Sequence, residues 1–206
     1  MKRFFGMAVL ILFNLLAFSA WALELAPDSL VDRTVKEVIE IIQKDEELKN
    51  GNKDKMLDLI ETKILPHFNF ARMTQLAMGQ HWSAAVPEQQ NKLVDEFRTL
   101  LVRTYSNALS SYHNETINVN PIKQLGDQTE TTVRTVVIQG NGKEPVPIDY
   151  SMEKKPDGWK VYDVTVAGVS LVTNYRGTFN SQVRKGGVEG LLKTLADKNK
   201  SLEGKK

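Results

Sequence analysis

The sequence predicts an α+β fold in which several helices pack against an antiparallel sheet. Three observations predict it. Apolar residues recur at helical spacing up to about Tyr112, alternate every second residue from Thr116 to Val166, and return to helical spacing after Ser170. Turn signals break the alternating part into short strands suited to a meander. Strands and helices that segregate along a chain in this way favour helices laid over one sheet.

Residues 1–22 come first and stand apart. Lys2 and Arg3 form a charged start, Met7–Phe18 an apolar run interrupted by Asn14, and Ala20-Trp21-Ala22 a small-x-small cleavage site. The run is short for a membrane span. It reads as a secretory leader cut after Ala22, which leaves 23–206 as one domain and, in a Gram-negative cell, places it in the periplasm. The chain of 206 residues has 27 Lys+Arg and 25 Asp+Glu; removing Lys2 and Arg3 with the leader leaves 25 against 25. A nucleic-acid role needs clustered excess basic charge, and none remains. Cysteine is absent, so an exported chain must draw its stability from its core.

Pro27-Asp28-Ser29 opens the first helix, and Val31, Val35, Val38, Ile39 and Ile42 form its apolar stripe, with Asn50-Gly51 as its end. A second helix runs from Asp54 to Leu65 and stops at Pro66. Asn69 caps a short helix over Ala71–Met78 that Gly79 closes. Pro87 starts a long helix over Glu88–Tyr112, with Leu93, Phe97, Leu100, Leu101, Tyr105, Leu109 and Tyr112 on a wide apolar face.

Four strands follow: Thr116–Asn120, Thr129–Gln139, Val146–Glu153 and Trp159–Val166. Gly140-Asn141-Gly142 and Pro156-Asp157-Gly158 turn the chain between them. In the third strand Val146, Ile148, Tyr150 and Met152 point inward and Asp149, Ser151 and Glu153 outward. Strict alternation in the fourth puts Trp159 and Val161 on one face and Tyr162, Val164 and Val166 on the other, so the sheet is expected to be covered on both sides. Gly168 turns the strand directly into a helix that Ser170 caps. Gly186-Gly187 separates that helix from a last one ending near Lys198, and 199–206 is expected to fray.

Catalytic and metal patterns are weak. His67, His81 and His113 have no spacing that places two on one helical face, so solvated or capping histidines are expected and no metal or cofactor. Ser170 lacks a nucleophile elbow, which leaves Asp163 as a structural carboxylate in a strand. Gly186-Gly187-x-x-Gly190 lacks the strand and lysine of a phosphate loop.

Aromatic and aliphatic surplus is the remaining signal. More than one face of the long helix and of the last strands is apolar, and a small domain has few partners for a second face unless it lines a cavity. Periodicity nominates Leu76, Trp82, Phe97, Leu101 and Tyr105 from the helices as the lining of such a cavity. From the sheet it nominates Val133, Val137, Ile148, Tyr150, Tyr162, Val164 and Val166. Val169, Val172 and Tyr175 complete the set.

An ordered set of motifs across 28–198 resembles the MlaC, or toluene-tolerance, family. It comprises Phe68-Asn69-Phe70, then Leu76-Ala77-Met78-Gly79-Gln80-His81-Trp82, Phe97 and Tyr105, Pro147-Ile148-Asp149-Tyr150 and Gly158-Trp159-Lys160-Val161-Tyr162-Asp163-Val164. Gly168-Val169-Ser170-Leu171-Val172, Asn174-Tyr175-Arg176, Phe179 and Gly187 complete it. Many relatives carry Asp where this chain has Asn69, and either residue caps a helix. The resemblance implies a non-enzymatic periplasmic carrier that holds a glycerophospholipid by its acyl chains. Its implied partners are an outer-membrane lipoprotein–porin complex and an inner-membrane ABC transporter complex with a hexameric lipid-handling ring. The alternative from another class is an exported adaptor of a membrane transporter that binds no lipid.

Overall fold

The structure is a computed structural model that describes residues 25–110, 115–123, 125–139 and 142–203. The leader, Tyr112, His113, Gly140-Asn141 and 204–206 lie outside these residues, as does the side chain of Leu109.

Helix α1 spans Pro27–Lys44. It stops earlier than its stripe suggests, because the Asp45 carboxylate accepts from the Glu47 and Leu48 amides (2.8 and 3.2 Å) and starts a separate turn, α2, at Glu46–Lys49. Helix α3 (Lys53–Leu59) leads into a π-helical turn over Ile60–Ile64 and a 3₁₀ turn over Leu65–His67. Pro66 prevents a regular helix from continuing here. Asn69 caps α4 (Phe70–Met78) as expected, its side chain accepting from the Arg72 amide at 3.0 Å. A 3₁₀ stretch, Gly79–Ala84, connects to α5 at Pro87–Ser110.

The sheet has five strands rather than four, in the order β1-β2-β3-β4-β5, every neighbouring pair antiparallel. These are β1 (Thr116–Val119), β2 (Glu130–Ile138), β3 (Val146–Lys155), β4 (Gly158–Val166) and a two-residue β5 (Val169–Ser170). The added strand comes from a tight turn. Ala167 and Gly168 both take positive φ (48° and 82°), which folds Val169 back against Val166. Helix α6 (Leu171–Glu203) then starts with the Ser170 hydroxyl accepting from the Thr173 amide at 3.0 Å. It bends at Gly186 and Gly187, the latter at φ 66°, as the glycine pair predicts.

Expected alternation fails at one point in β4. Ser151 pairs with Asp163 but Met152 pairs with Val161, so Tyr162 is an extra residue bulged out of the ladder. Because cross-strand partners share a face, Trp159, Val161, Val164 and Val166 all lie on the face of Met152, Tyr150 and Ile148. Of the five apolar residues only Tyr162 takes the opposite side, with Lys160, Asp163 and Thr165. The sheet is therefore apolar on one face; the other carries Thr132, Arg134, Asp149 and Ser151 and is not the second greasy face the alternation suggests.

Two packed clusters flank that apolar face. Leu30 and Val31 of α1 pack onto Val133, Met152, Trp159 and Val161. Beyond the β4 edge, α4, α5 and α6 meet around Phe97, with Tyr175 and Phe179 edge-on to it, each ring centroid at 5.0 Å. The C-terminal end of α6 is anchored, not frayed as expected, through Glu203. Asn199 is 4% exposed and its side-chain amide donates to the Glu96 carbonyl and carboxylate (2.9 and 2.6 Å).

Candidate lipid-binding cavity

Between the helices and the apolar sheet face lie two hollow spaces. One, of about 150 Å³, runs under α1 and is lined by Val31, Val35, Val38, Ile39 and Ile42 of that helix facing Ile117, Met152 and Val161. The other, of about 290 Å³, lies under α5 between Leu101, Val102 and Tyr105 and the sheet residues Ile148, Val164 and Val166, with Phe70, Met73 and Leu171 at its sides. Ile64, Phe68 and Tyr150 line both, so three side chains form the partition between an α1 chamber and an α5 chamber.

Local sequence explains each wall. The parallel bridge of Phe68 to Val161, with the Asn69 amide donating to the Val161 carbonyl at 2.8 Å, pins the loop before α4 to the edge of β4. That places Phe68 between the chambers and its neighbour Phe70 in the second, the two rings stacked with centroids 5.7 Å apart. The π-helical turn shifts Ile64 and Leu65 out of α3's register and onto the cavity. Such turns are frequent at functional sites. Tyr150 stands between the chambers with burial pushing its phenol up from the usual range, an effect its hydrogen bond to Thr135 partly offsets. Polar groups on the walls are few: Thr34 and His67 in the α1 chamber, Tyr105 and Ser106 at the α5 chamber, where Tyr105 is 39% exposed.

The nominated residues divide. Leu101, Tyr105, Ile148, Tyr150, Val164 and Val166 line the α5 chamber, Tyr150 serving both. Phe97 and Val172 are buried in the helical cluster, with Trp82, Tyr162 and Tyr175 packed against it. Leu76 belongs to that cluster too and borders an open polar cleft. Val133 is buried beneath α1, Val137 is half-buried beside β1, and Val169 is 58% exposed at the sheet edge. Periodicity reports that a face is covered, and solid packing and a cavity wall give the same stripe. For that reason α1's stripe was legible as a pattern while its place in a chamber wall was not, and nothing in the sequence announces the π-helical turn.

A polar clamp holds α4 to the other side of the sheet. Arg72 pairs with Glu153 and Glu130 (2.7 Å each) and lies 3.7 Å above the Tyr162 ring, while Asn69 donates to Glu153 at 2.6 Å. Glu153, expected to point to solvent, is 8% exposed beneath this clamp. Burial alone would raise its pKa, but the hydrogen bonds from Arg72 and Asn69 overcome that and hold the carboxyl below the usual range.

No catalytic constellation accompanies the cavity among the described residues. Asp163 accepts from the Ser170 hydroxyl (2.5 Å) and the Val172 amide (3.1 Å) and fastens the start of α6 to β4. His81 is 2.7 Å from the Asn180 side-chain oxygen. Among the described residues no group of three or more metal-ligating side chains occurs, and no helix is long and apolar enough to cross a membrane.

Fold and cavity together define an α+β protein with a divided apolar pocket between one sheet face and its helices. The family model described as MlaC protein matches residues 32–197, and the chain belongs to that family. Among curated proteins it is similar to the intermembrane phospholipid transport system binding protein MlaC of Haemophilus influenzae, 26% identical over 188 residues and 88% of each chain. It is also similar to the toluene tolerance protein ttg2D of Pseudomonas putida, 25% identical over 162 residues, covering 78% of this chain and 74% of the relative. Among solved structures it resembles a phospholipid-binding protein from Ralstonia solanacearum in complex with a phospholipid. That likeness has 41% identity and a TM-score of 0.78, covering 85% of this chain and 98% of the other.

Proposed function

We propose that this protein is a periplasmic, non-enzymatic carrier of glycerophospholipid, exported by a leader cleaved after Ala22, with acyl chains in the two chambers and the headgroup at solvent. It takes lipid from or delivers it to an outer-membrane lipoprotein–porin complex and an inner-membrane ABC transporter complex with a hexameric lipid-handling ring, and so maintains outer-membrane lipid asymmetry.

The observation that carries this reading is hollow apolar volume on one sheet face, split by Ile64, Phe68 and Tyr150. Cavity in a packed interior costs about 24 cal/mol per Å³. Left empty and closed, the smaller chamber would cost about 4 kcal/mol and the larger about 7 kcal/mol on that scale. Both figures are upper bounds, because both chambers are partly open to solvent. Against a typical net stability of about 5–15 kcal/mol, volume of this size is retained only where something fills it. Hydrocarbon does so well, each buried methylene contributing about 0.8 kcal/mol. The names of the Haemophilus and Ralstonia relatives point to the same ligand class.

Native mass spectrometry of protein purified from cells tests the reading. Added mass matching a diacyl phospholipid is expected in the wild type and lost in Val164→Asp and Val166→Asp, which place a carboxylate on the chamber floor. A ligand-free wild type would instead favour a transporter adaptor that binds no lipid.

A further inference from the structure

Helix α4 presents two opposite faces. Phe70 and Met73 line the α5 chamber, while Arg72, Gln75 and Leu76, with Gly79 just beyond the helix, line an open cleft of about 650 Å³. Residues three and four apart share a helix face, which keeps the two sets on separate sides. β3 contributes Glu153 and Lys155 to the cleft, and α6 contributes Arg176. That arginine lies over Gly79, its Nε 3.5 Å from where a β carbon would stand, and donates to the Leu76 carbonyl at 3.0 Å.

The charges lining the cleft do not cancel. Arg72 is paired with Glu153 and Glu130 (2.7 Å each), and Asn69 donates to the other Glu153 oxygen at 2.6 Å. Lys155 comes no nearer to Glu153 than 3.8 Å, too far for a hydrogen bond. Among the described residues the two Nη groups of Arg176 and the side-chain amide of Gln75 have no partner. Lys155, Gln75 and Arg176 are all exposed, so two cations and an uncommitted amide stand beside the apolar side chains of Ala71 and Leu76.

Each feature selects for a ligand. Carboxylates suit the fork of Arg176 and the ammonium of Lys155. The Gln75 amide, both donor and acceptor, matches a peptide group. A flat membrane surface would not enter a cleft, and a small free anion would leave the amide and the apolar wall unused. We propose that this cleft is the docking site for an acidic, extended segment of a protein partner, with Arg176 and Lys155 taking its carboxylates and Gln75 its backbone. The chambers lie on the other side of α4, so a docked segment leaves them clear, and the site stands whether or not they hold lipid.

Isotope-labelled protein is titrated with a hexaglutamate peptide and followed by NMR. The backbone amides of Gln75 and Gly79 and the Arg176 Nε–H are expected to shift, with hexaglutamine and free glutamate leaving them in place. Arg176→Gln and Lys155→Gln should each weaken binding roughly tenfold, the scale of one charge-assisted contact. Lys155→Gln removes no hydrogen bond of the fold, so its effect reads the cleft and not unfolding. Lys193→Gln, which removes an exposed charge further along α6, should leave binding unchanged. No shift with hexaglutamate, an equal shift with hexaglutamine, or equal losses in all three variants would overturn the proposal. So would an equal response to free glutamate, which makes the cleft a small-anion site. Vesicles of phosphatidylglycerol that shift the same signals would assign the face to a membrane and overturn it too. Native mass spectrometry of the variants should show the same lipid as the wild type, so failure here leaves the carrier reading standing.

Discussion

Phe97, Tyr175 and Phe179 meet ring to ring at 5.0–6.0 Å, whereas Leu101, one turn further along α5, packs against that cluster on one side and on the other faces Val164 and Tyr150 across open volume. Both regions are apolar and both use α5. They differ in what stands opposite. Three helices converge on Phe97 with large flat rings that interlock edge to face, a geometry that fills a corner. Opposite Leu101 stands a sheet floor made mainly of valine and isoleucine, whose side chains are short and held upright by β-branching. They cover the sheet without reaching the helix. Hydrophobicity is therefore a poor guide to which surface is core and which is binding site; the reach of the side chains across the gap decides it.

Truncating the packed region should have the largest effect on stability. Phe97→Ala opens a void where the residue is fully buried, and a loss of about 3–5 kcal/mol in urea denaturation is expected. A loss below about 1 kcal/mol would mean that the helical corner is as loose as the chambers.

Next comes the clamp that joins the two regions through α4. Glu153→Gln should cost about 2 kcal/mol at pH 7, the scale of hydrogen bonds to a charged group. The sign with pH follows from the depressed carboxyl pKa. Its contribution is full above the ordinary glutamate value and is lost as pH falls through the lower folded value. Denaturation midpoints of wild type and Glu153→Gln should therefore converge once the pH has fallen through that depressed folded value. A gap that persists there would assign the loss to packing.

The smallest stability change is expected in the hollow region itself. Phe68→Ala removes part of the partition from a half-buried position, costs about 1 kcal/mol, well below the fully buried range, and joins the chambers. Thermal melts with and without dioleoyl phosphatidylethanolamine should show a small loss in the free protein and a changed gain on loading. A loss as large as that of Phe97→Ala would show that Phe68 is a core residue.

Much of the architecture was readable from the chain. Asn69, Pro87, Ser170 and Gly187 each mark an element boundary for a local chemical reason, and each holds. The strand faces of β3 were legible because its alternation is unbroken. On β4 the reading failed at Tyr162, since a single extra residue reverses the face of everything on one side of it, and a bulge leaves no mark in the residue types. Glu153 was misplaced for a different reason: a carboxylate in an alternating strand looks solvent-facing until Arg72, eighty-one residues away, is brought over it.

The chain's residues by themselves determined the sequence of helices and strands, the turn into α6 and the apolar stripes of the helices, because caps, turns and periodicity act over a few neighbouring residues. Only the tertiary structure decided which of those faces meet and which stand apart. That depends on lengths and angles between elements far apart in the chain, where a valine packs against a ring in one place and borders a chamber in another.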